Sequence, residues 1–164
     1  MTLLKNKTVF ITGASSGFGR EIAAAFAKKG SKLIIAARRA ERIKETAALL
    51  RKKYGVEVLP ITLDIRKKTD VAKSVKALPV KWRDIDILVN NAGLSRGLDK
   101  LQEGSIQDWD EMIDTNVKGL LYVTRSVLPQ MVKRNTGHII NIGSIAGHEV
   151  YPKGTVYCAS QHAV

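Results

Sequence analysis

Cysteine is almost missing from this 164-residue chain: Cys158 stands alone, so no intrachain disulfide can form and a metal cluster is not expected. It reads as a partly buried thiol rather than a reactive one. Aromatic residues make up only 5%, and almost none stand among the lysines of the basic stretches. Long hydrophobic runs are absent too, since none approaches the roughly 18 apolar residues of a membrane span. Met1-Thr2-Leu3-Leu4-Lys5 leads into a strand pattern with no signal-peptide core before it. These absences point to a cytoplasmic protein with no membrane partner. Acidic residues are scarce in one half: residues 1–80 hold 18 Lys/Arg against 6 Asp/Glu, whereas residues 81–164 hold 9 of each, giving a net charge of +12. Basic arms that bind nucleic acid combine such an excess with disorder or aromatic platforms. Here the lysines punctuate amphipathic helices, so solvated helix faces are expected and no nucleic-acid partner, with a part of the charge left to attract an anionic ligand.

What is present is enough apolar material, 45% of residues, for one domain spanning 1–164. Runs at Thr8–Thr12, Lys32–Ala37, Val56–Leu63, Ile85–Val89 and His138–Ile142 read as strands. Amphipathic segments at Phe18–Lys29, Ala40–Tyr54, Thr69–Leu78 and Ser105–Arg134 read as helices, with Gly30, Gly55 and Gly137 as stops. Ser105 and Asp108 form a capping-box pattern, and Pro129 is expected to kink or shorten the last helix. Continuous Leu33-Ile34-Ile35 and Ile87-Leu88-Val89 suit strands covered on both faces. The fold class is therefore α/β, a doubly wound parallel sheet.

Between the first strand and first helix stands Thr12-Gly13-Ala14-Ser15-Ser16-Gly17-Phe18-Gly19. Glycines there let backbone approach phosphate oxygens, and free amides at a helix start stabilise the charge, so the turn implies a bound dinucleotide. No Gly-Lys-Ser/Thr follows, which argues against a nucleoside-triphosphate loop. After the second strand, Arg38 and Arg39 stand where an NAD-binding chain would place an Asp for the ribose 2′-hydroxyl. A guanidinium there favours a 2′-phosphate, so the expected cofactor is NADP; the competing reading makes both arginines exposed first residues of a helix.

The chain resembles the short-chain dehydrogenase/reductase family. The resemblance is carried by Thr12-Gly-x-x-x-Gly17-x-Gly19, Asp64 after the third strand, Asn90-Asn91-Ala92-Gly93 after the fourth, Asn116, Ser144, and Tyr157 thirteen positions later. Ile85–Gly93 and His138–Ser144 look like its branch of bacterial NADP-dependent 3-hydroxy acid (serine-type) dehydrogenases. The resemblance implies a Rossmann-like fold and hydride transfer between nicotinamide and a small hydroxy acid or other secondary alcohol or carbonyl. By it, Gly13, Ser15, Ser16, Gly17, Phe18, Gly19, Arg38, Arg39, Asp64, Ile65, Asn91, Ala92 and Gly93 would hold the cofactor. Asp64 would meet the adenine amine, or else be only the N-cap of the next element. Tyr157 would be the general acid/base, Ser144 would hold the substrate oxygen, and Asn116 would anchor a relay water through a backbone carbonyl. Asn90 is expected to stabilise the sheet instead.

Two departures follow. The family's Tyr-x-x-x-Lys reads Tyr157-Cys158-Ala159-Ser160-Gln161 here, which removes the cation that lowers the tyrosine pKa. His162 should point away from the lysine's helical face and nothing in the sequence turns Lys153 inward, so neither is expected to replace that cation. The chain also stops at Val164, where family members continue into further strands and a substrate lid. That predicts a sheet incomplete at its C-terminal edge, an apolar unpaired fifth strand, association or aggregation, and a homo-oligomer weakened because the helix opposite Trp109–Met131 is mostly missing. The readings are an impaired NADP-dependent oxidoreductase, a non-catalytic nucleotide-binding module, and an inactive truncated product.

Overall fold

The computed structural model describes residues 3–164. Five parallel strands, β1 (Thr8–Thr12), β2 (Lys32–Ala37), β3 (Val58–Thr62), β4 (Ile87–Asn90) and β5 (His138–Asn141), form one sheet in the order β3-β2-β1-β4-β5. The order reverses at β1. Helices α1 (Gly17–Lys28) and α2 (Ala40–Tyr54) precede β2 and β3, and α3 (Lys68–Lys76) precedes β4. After β4 come α4 (Ile106–Met112) and α5 (Leu120–Arg134), and after β5 comes α6 (Thr155–His162).

Side-chain alternation divides the central strands between two cores. Val9, Ile11, Leu33 and Ile35 pack with Ala23, Ala27, Ile43 and Ala47 of α1 and α2. Phe10, Ile34 and Leu88 face the other way, against Val71 of α3 and Val123, Val127 and Met131 of α5. Phe10 lies in register with Ile34 on one side and Leu88 on the other. Each such side chain contributes roughly 1.5–3 kcal/mol by leaving water. Covered on both faces, these strands hold the loops at their C-terminal ends in fixed positions.

Several local expectations need correction. The strand read as Val56–Leu63 is β3, Val58–Thr62, and that read as Ile85–Val89 is β4, Ile87–Asn90. The helix read as Ser105–Arg134 is not α-helical throughout. Ser105 caps α4 by accepting from the Asp108 amide at 3.3 Å, but Ile113–Gly119 then takes π-helical geometry before α5. Gly119 permits the close packing there, because a methyl group on it would lie 2.7 Å from Ile65 Cδ1. Pro129 does not shorten α5, which continues to Arg134. The helix ends on Asn135, left-handed at φ 50°, rather than on Gly137, whose role is close contact with Met131. β5 lies at the sheet edge, with Ile139 and Ile140 only half-buried.

Candidate functional site

A cleft of about 490 Å³ opens at the C-terminal ends of β1 to β4, where the strand order reverses. Open α/β sheets bind ligands at such a point. Its floor is built by the end of β1. The buried Thr12 hydroxyl accepts from the amides of Asn91 and Ala92, both at 3.1 Å, and donates to Val89 O at 3.4 Å. The Asn91 side-chain amide donates to Thr12 O at 2.9 Å and Gly13 O at 3.3 Å. This lacing brings two loops so close that a methyl on Gly13 (φ 69°) would lie 2.8 Å from Ala92 Cα, and one on Gly19 would overlap Gly13 O.

The expected cofactor residues divide into two groups. Gly13, Ser15, Ser16, Arg38, Arg39, Asp64, Ile65, Ala92 and Gly93 line the cleft together with Ala36, Ala37, Leu63, Leu94 and Thr115. Gly17, Phe18, Gly19 and Asn91 do not. Phe18 is 79% exposed, Gly17 is left-handed at φ 52° with open space around it, and Gly19 is buried in the turn. Asn91 shapes the turn from behind.

The outer wall is a guanidinium cluster. Arg39 Nη2 donates to the hydroxyls of Ser15 (3.1 Å) and Ser16 (2.9 Å) beside the start of α1. Arg66 clamps both carboxylate oxygens of Asp64, and Lys67, not Asp64, is the N-cap of α3. Glu111 of α4 reaches across and accepts from Arg38, Arg66 and Arg96 at 3.1, 3.2 and 2.9 Å. The Arg66 guanidinium holds the Asp64 carboxyl below its ordinary range, and Arg96, then Arg38, does the same for Glu111.

Behind the cleft, Asn116 in the π-helical segment is buried. Its side-chain amide donates to Leu94 O (2.9 Å) and Ser160 Oγ (3.0 Å), while its Oδ1 accepts from the Leu94 amide (2.9 Å). Ser160, fully buried, donates onward to Tyr157 O at 2.8 Å. Asn116 thus ties the loop after β4 to α6. Ser144 accepts from the Ala146 amide at 3.2 Å and caps a single turn, Ile145–Gly147. Neither Ser144 nor Tyr157 lines the 490 Å³ cleft. Tyr157 borders a smaller hollow with Arg96, Trp109, Met112 and Lys153. Gln161 is buried beside Gly147, and His162 turns its ring back to Cys158 O at 2.9 Å. Asn90 joins Thr124 of α5 to Asn141 of β5.

The residues fit a dinucleotide. Gly13 and Gly19 let the turn pack against itself and the loop after β4 where a Cβ would clash, α1 presents its N-terminal end beside the cleft, and guanidinium groups stand at the rim of β2 and β3. Ser160, Glu111, Arg66 and Arg96 carry no signal of their own in the sequence. Only three-dimensional proximity identifies them, although Ser160 lies inside the Tyr157–Gln161 motif.

The sequence profile of the short chain dehydrogenase family matches residues 7–164. The chain is 50% identical over 153 residues to the NADP-dependent 3-hydroxy acid dehydrogenase YdfG of Salmonella typhi, covering 93% of this chain and 60% of that protein. It is 46% identical over 165 residues to the NADP-dependent 3-hydroxy acid dehydrogenase of Schizosaccharomyces pombe, covering 100% and 64%. Among solved structures, the closed form of serine dehydrogenase complexed with NADP+ superposes with a TM-score of 0.88 at 46% identity, covering 94% of this chain and 61% of that one. The chain therefore spans about three fifths of the length of these relatives.

Proposed function

Because the chain belongs to the short-chain dehydrogenase family, we propose that it is the cofactor-binding and proton-transfer portion of an NADP(H)-dependent oxidoreductase. Its substrates would be small hydroxy acids or other secondary alcohols and carbonyls. The observation that carries this reading is the cleft itself, with Gly13, Ser15 and Ser16 before the start of α1 on one side and Arg38 and Arg39 on its wall. Gly13, Ser15, Ser16, Ala92 and Gly93 would hold the pyrophosphate and ribose side of the cofactor, Asp64 and Ile65 the adenine, and the two arginines the 2′-phosphate. When bound, the nicotinamide supplies or accepts the hydride.

The chain's own residues manage the proton. In the reducing direction the Tyr157 hydroxyl donates it to the carbonyl oxygen, and in the oxidising direction the phenolate removes it from the alcohol. Ser144 Oγ donates a hydrogen bond to the same oxygen. Asn116 positions both sides of the site, since it holds Leu94 and, through Ser160, the first turn of α6.

Gln161 favours a second reading, a nucleotide-binding module with little turnover. An amide supplies no positive charge to stabilise the oxyanion that proton transfer leaves on Tyr157, and positioned acid/base catalysis is worth about a hundredfold or more. The test is Gln161→Lys in the whole chain, assayed for NADPH-linked reduction over a panel of small keto acids and ketones. A rise of about a hundredfold, with coenzyme affinity changed little, supports the catalytic reading. Saturable NADPH binding with no turnover in either form supports the binding module and contradicts catalysis.

A further inference from the structure

On the reading that the cleft takes NADP(H), we propose that Glu111 is an internal counter-ion that competes with the coenzyme's 2′-phosphate for Arg38. Glu111 thereby sets how strongly the chain prefers NADP(H) to NAD(H). The geometry is particular. Glu111 stands on α4, far in sequence from the β2 and β3 loops, yet its Oε1 accepts from Arg38 Nη1 at 3.1 Å and from Arg66 Nη1 at 3.2 Å. Its Oε2 takes Arg96 Nε at 2.9 Å. One carboxylate therefore draws together the loops that follow β2, β3 and β4. Its side chain is 20% exposed, so the interaction is only partly screened, whereas the Arg38 side chain is 47% exposed and free to approach a ligand.

The charge balance points to a phosphate. Arg38, Arg39, Arg66 and Arg96 face two carboxylates, Asp64 and Glu111. The surplus of two positive charges matches a phosphomonoester, which carries about −1.5 to −2 at neutral pH. Arg39 has only the neutral Ser15 and Ser16 hydroxyls to give up for the phosphate, whereas Arg38 must leave a carboxylate, so Arg38 is the guanidinium over which protein and ligand compete. If Arg38 moves to the phosphate, Glu111 keeps Arg66 and Arg96, so no buried charge is stranded. If Arg38 is shared, the carboxylate and phosphate share one guanidinium and repel each other. Either way the Glu111 charge weakens the 2′-phosphate contact and hardly touches a neutral 2′-hydroxyl.

The test is a fluorescence titration of NADPH and NADH against the whole chain, Glu111→Gln and Glu111→Ala, with 2′,5′-ADP and 5′-AMP as competitors. Glutamine keeps the shape and removes the charge. We expect it to tighten NADPH and 2′,5′-ADP about three- to tenfold while NADH and 5′-AMP stay within about twofold. Should Glu111→Ala unfold, as a melt will show, Glu111→Gln decides alone. Weaker NADPH binding, or parallel shifts in both coenzymes, would mean that Glu111 only braces the arginines, and the inference falls. Absence of coenzyme uptake by the unsubstituted chain would instead remove the NADP(H) reading on which the inference stands.

Discussion

Gly13 and Gly19 show what a single residue contributes to this site. At position 19 the constraint is space, because an added methyl would overlap the Gly13 carbonyl and the Asn91 amide. Gly19→Ala should therefore destabilise the chain by about 1–3 kcal/mol and weaken NADPH binding, read as a lower urea midpoint at unchanged slope together with a higher Kd. A Gly19→Ala chain with unaltered midpoint and Kd would show that the turn tolerates the methyl. Gly13 and Asp64 line the cleft as motif spacing implies, whereas the roles of Asn116, Ser144 and Tyr157 rest on that spacing and belong to the proposed function. Glu111 was not legible in the sequence, since its partners Arg38 and Arg66 stand 73 and 45 residues away and nothing local marks an ion pair of that reach. Phe18 turns its side chain to solvent, so what it offers a ligand is its backbone amide in the first turn of α1.

At the level of elements, strands covered on both faces announced themselves. Leu33-Ile34-Ile35 and Ile87-Leu88-Val89 are fully apolar, and they fall in β2 and β4, inside the sheet. The segment Ile113–Gly119 was hidden because a π-helical turn keeps the hydrophobic pattern almost intact while shifting the hydrogen-bond ladder. That shift has a consequence, since it comes where Thr115 and Asn116 turn inward behind the cleft. Pro129 misled in the opposite direction. It lies on the exposed side of α5, and the helix carries on past it, ending instead where Asn135 takes the left-handed conformation. Gly137 is not the stop, and its constraint is Met131, which lies 2.6 Å from where a Cβ would stand.

For the molecule as a whole, the uneven charge resolves into a function for part of it. The basic excess of the first half includes Arg38 and Arg39 on the cleft wall and Arg66 beside them on Asp64, a field that favours an anionic coenzyme and falls with ionic strength. The same ion pairs predict acid behaviour. Asp64 and Glu111 titrate below their ordinary values of 3.8 and 4.5 when folded, so their contribution is present above those values. It is lost as pH falls through the depressed folded ones. Thermal melts should hold level from about pH 7 to 5 and drop below about pH 4.5. Asp64→Asn should melt lower than the unsubstituted chain at pH 7 and converge with it in acid. A constant gap down to pH 3 would mean the Asp64–Arg66 pair adds no pH-dependent stability.

The central claim, a cleft shaped for a dinucleotide and charged for its 2′-phosphate, meets its most direct test in calorimetric titration of NADPH and NADH against the chain and an Arg38→Ala/Arg39→Ala double variant. The account predicts saturable NADPH binding about ten- to a hundredfold tighter than NADH, with that margin lost in the double variant, as a charge-assisted contact of about 1.5–3 kcal/mol requires. Equal affinities for the two coenzymes, or a preference that survives removal of both arginines, would contradict it.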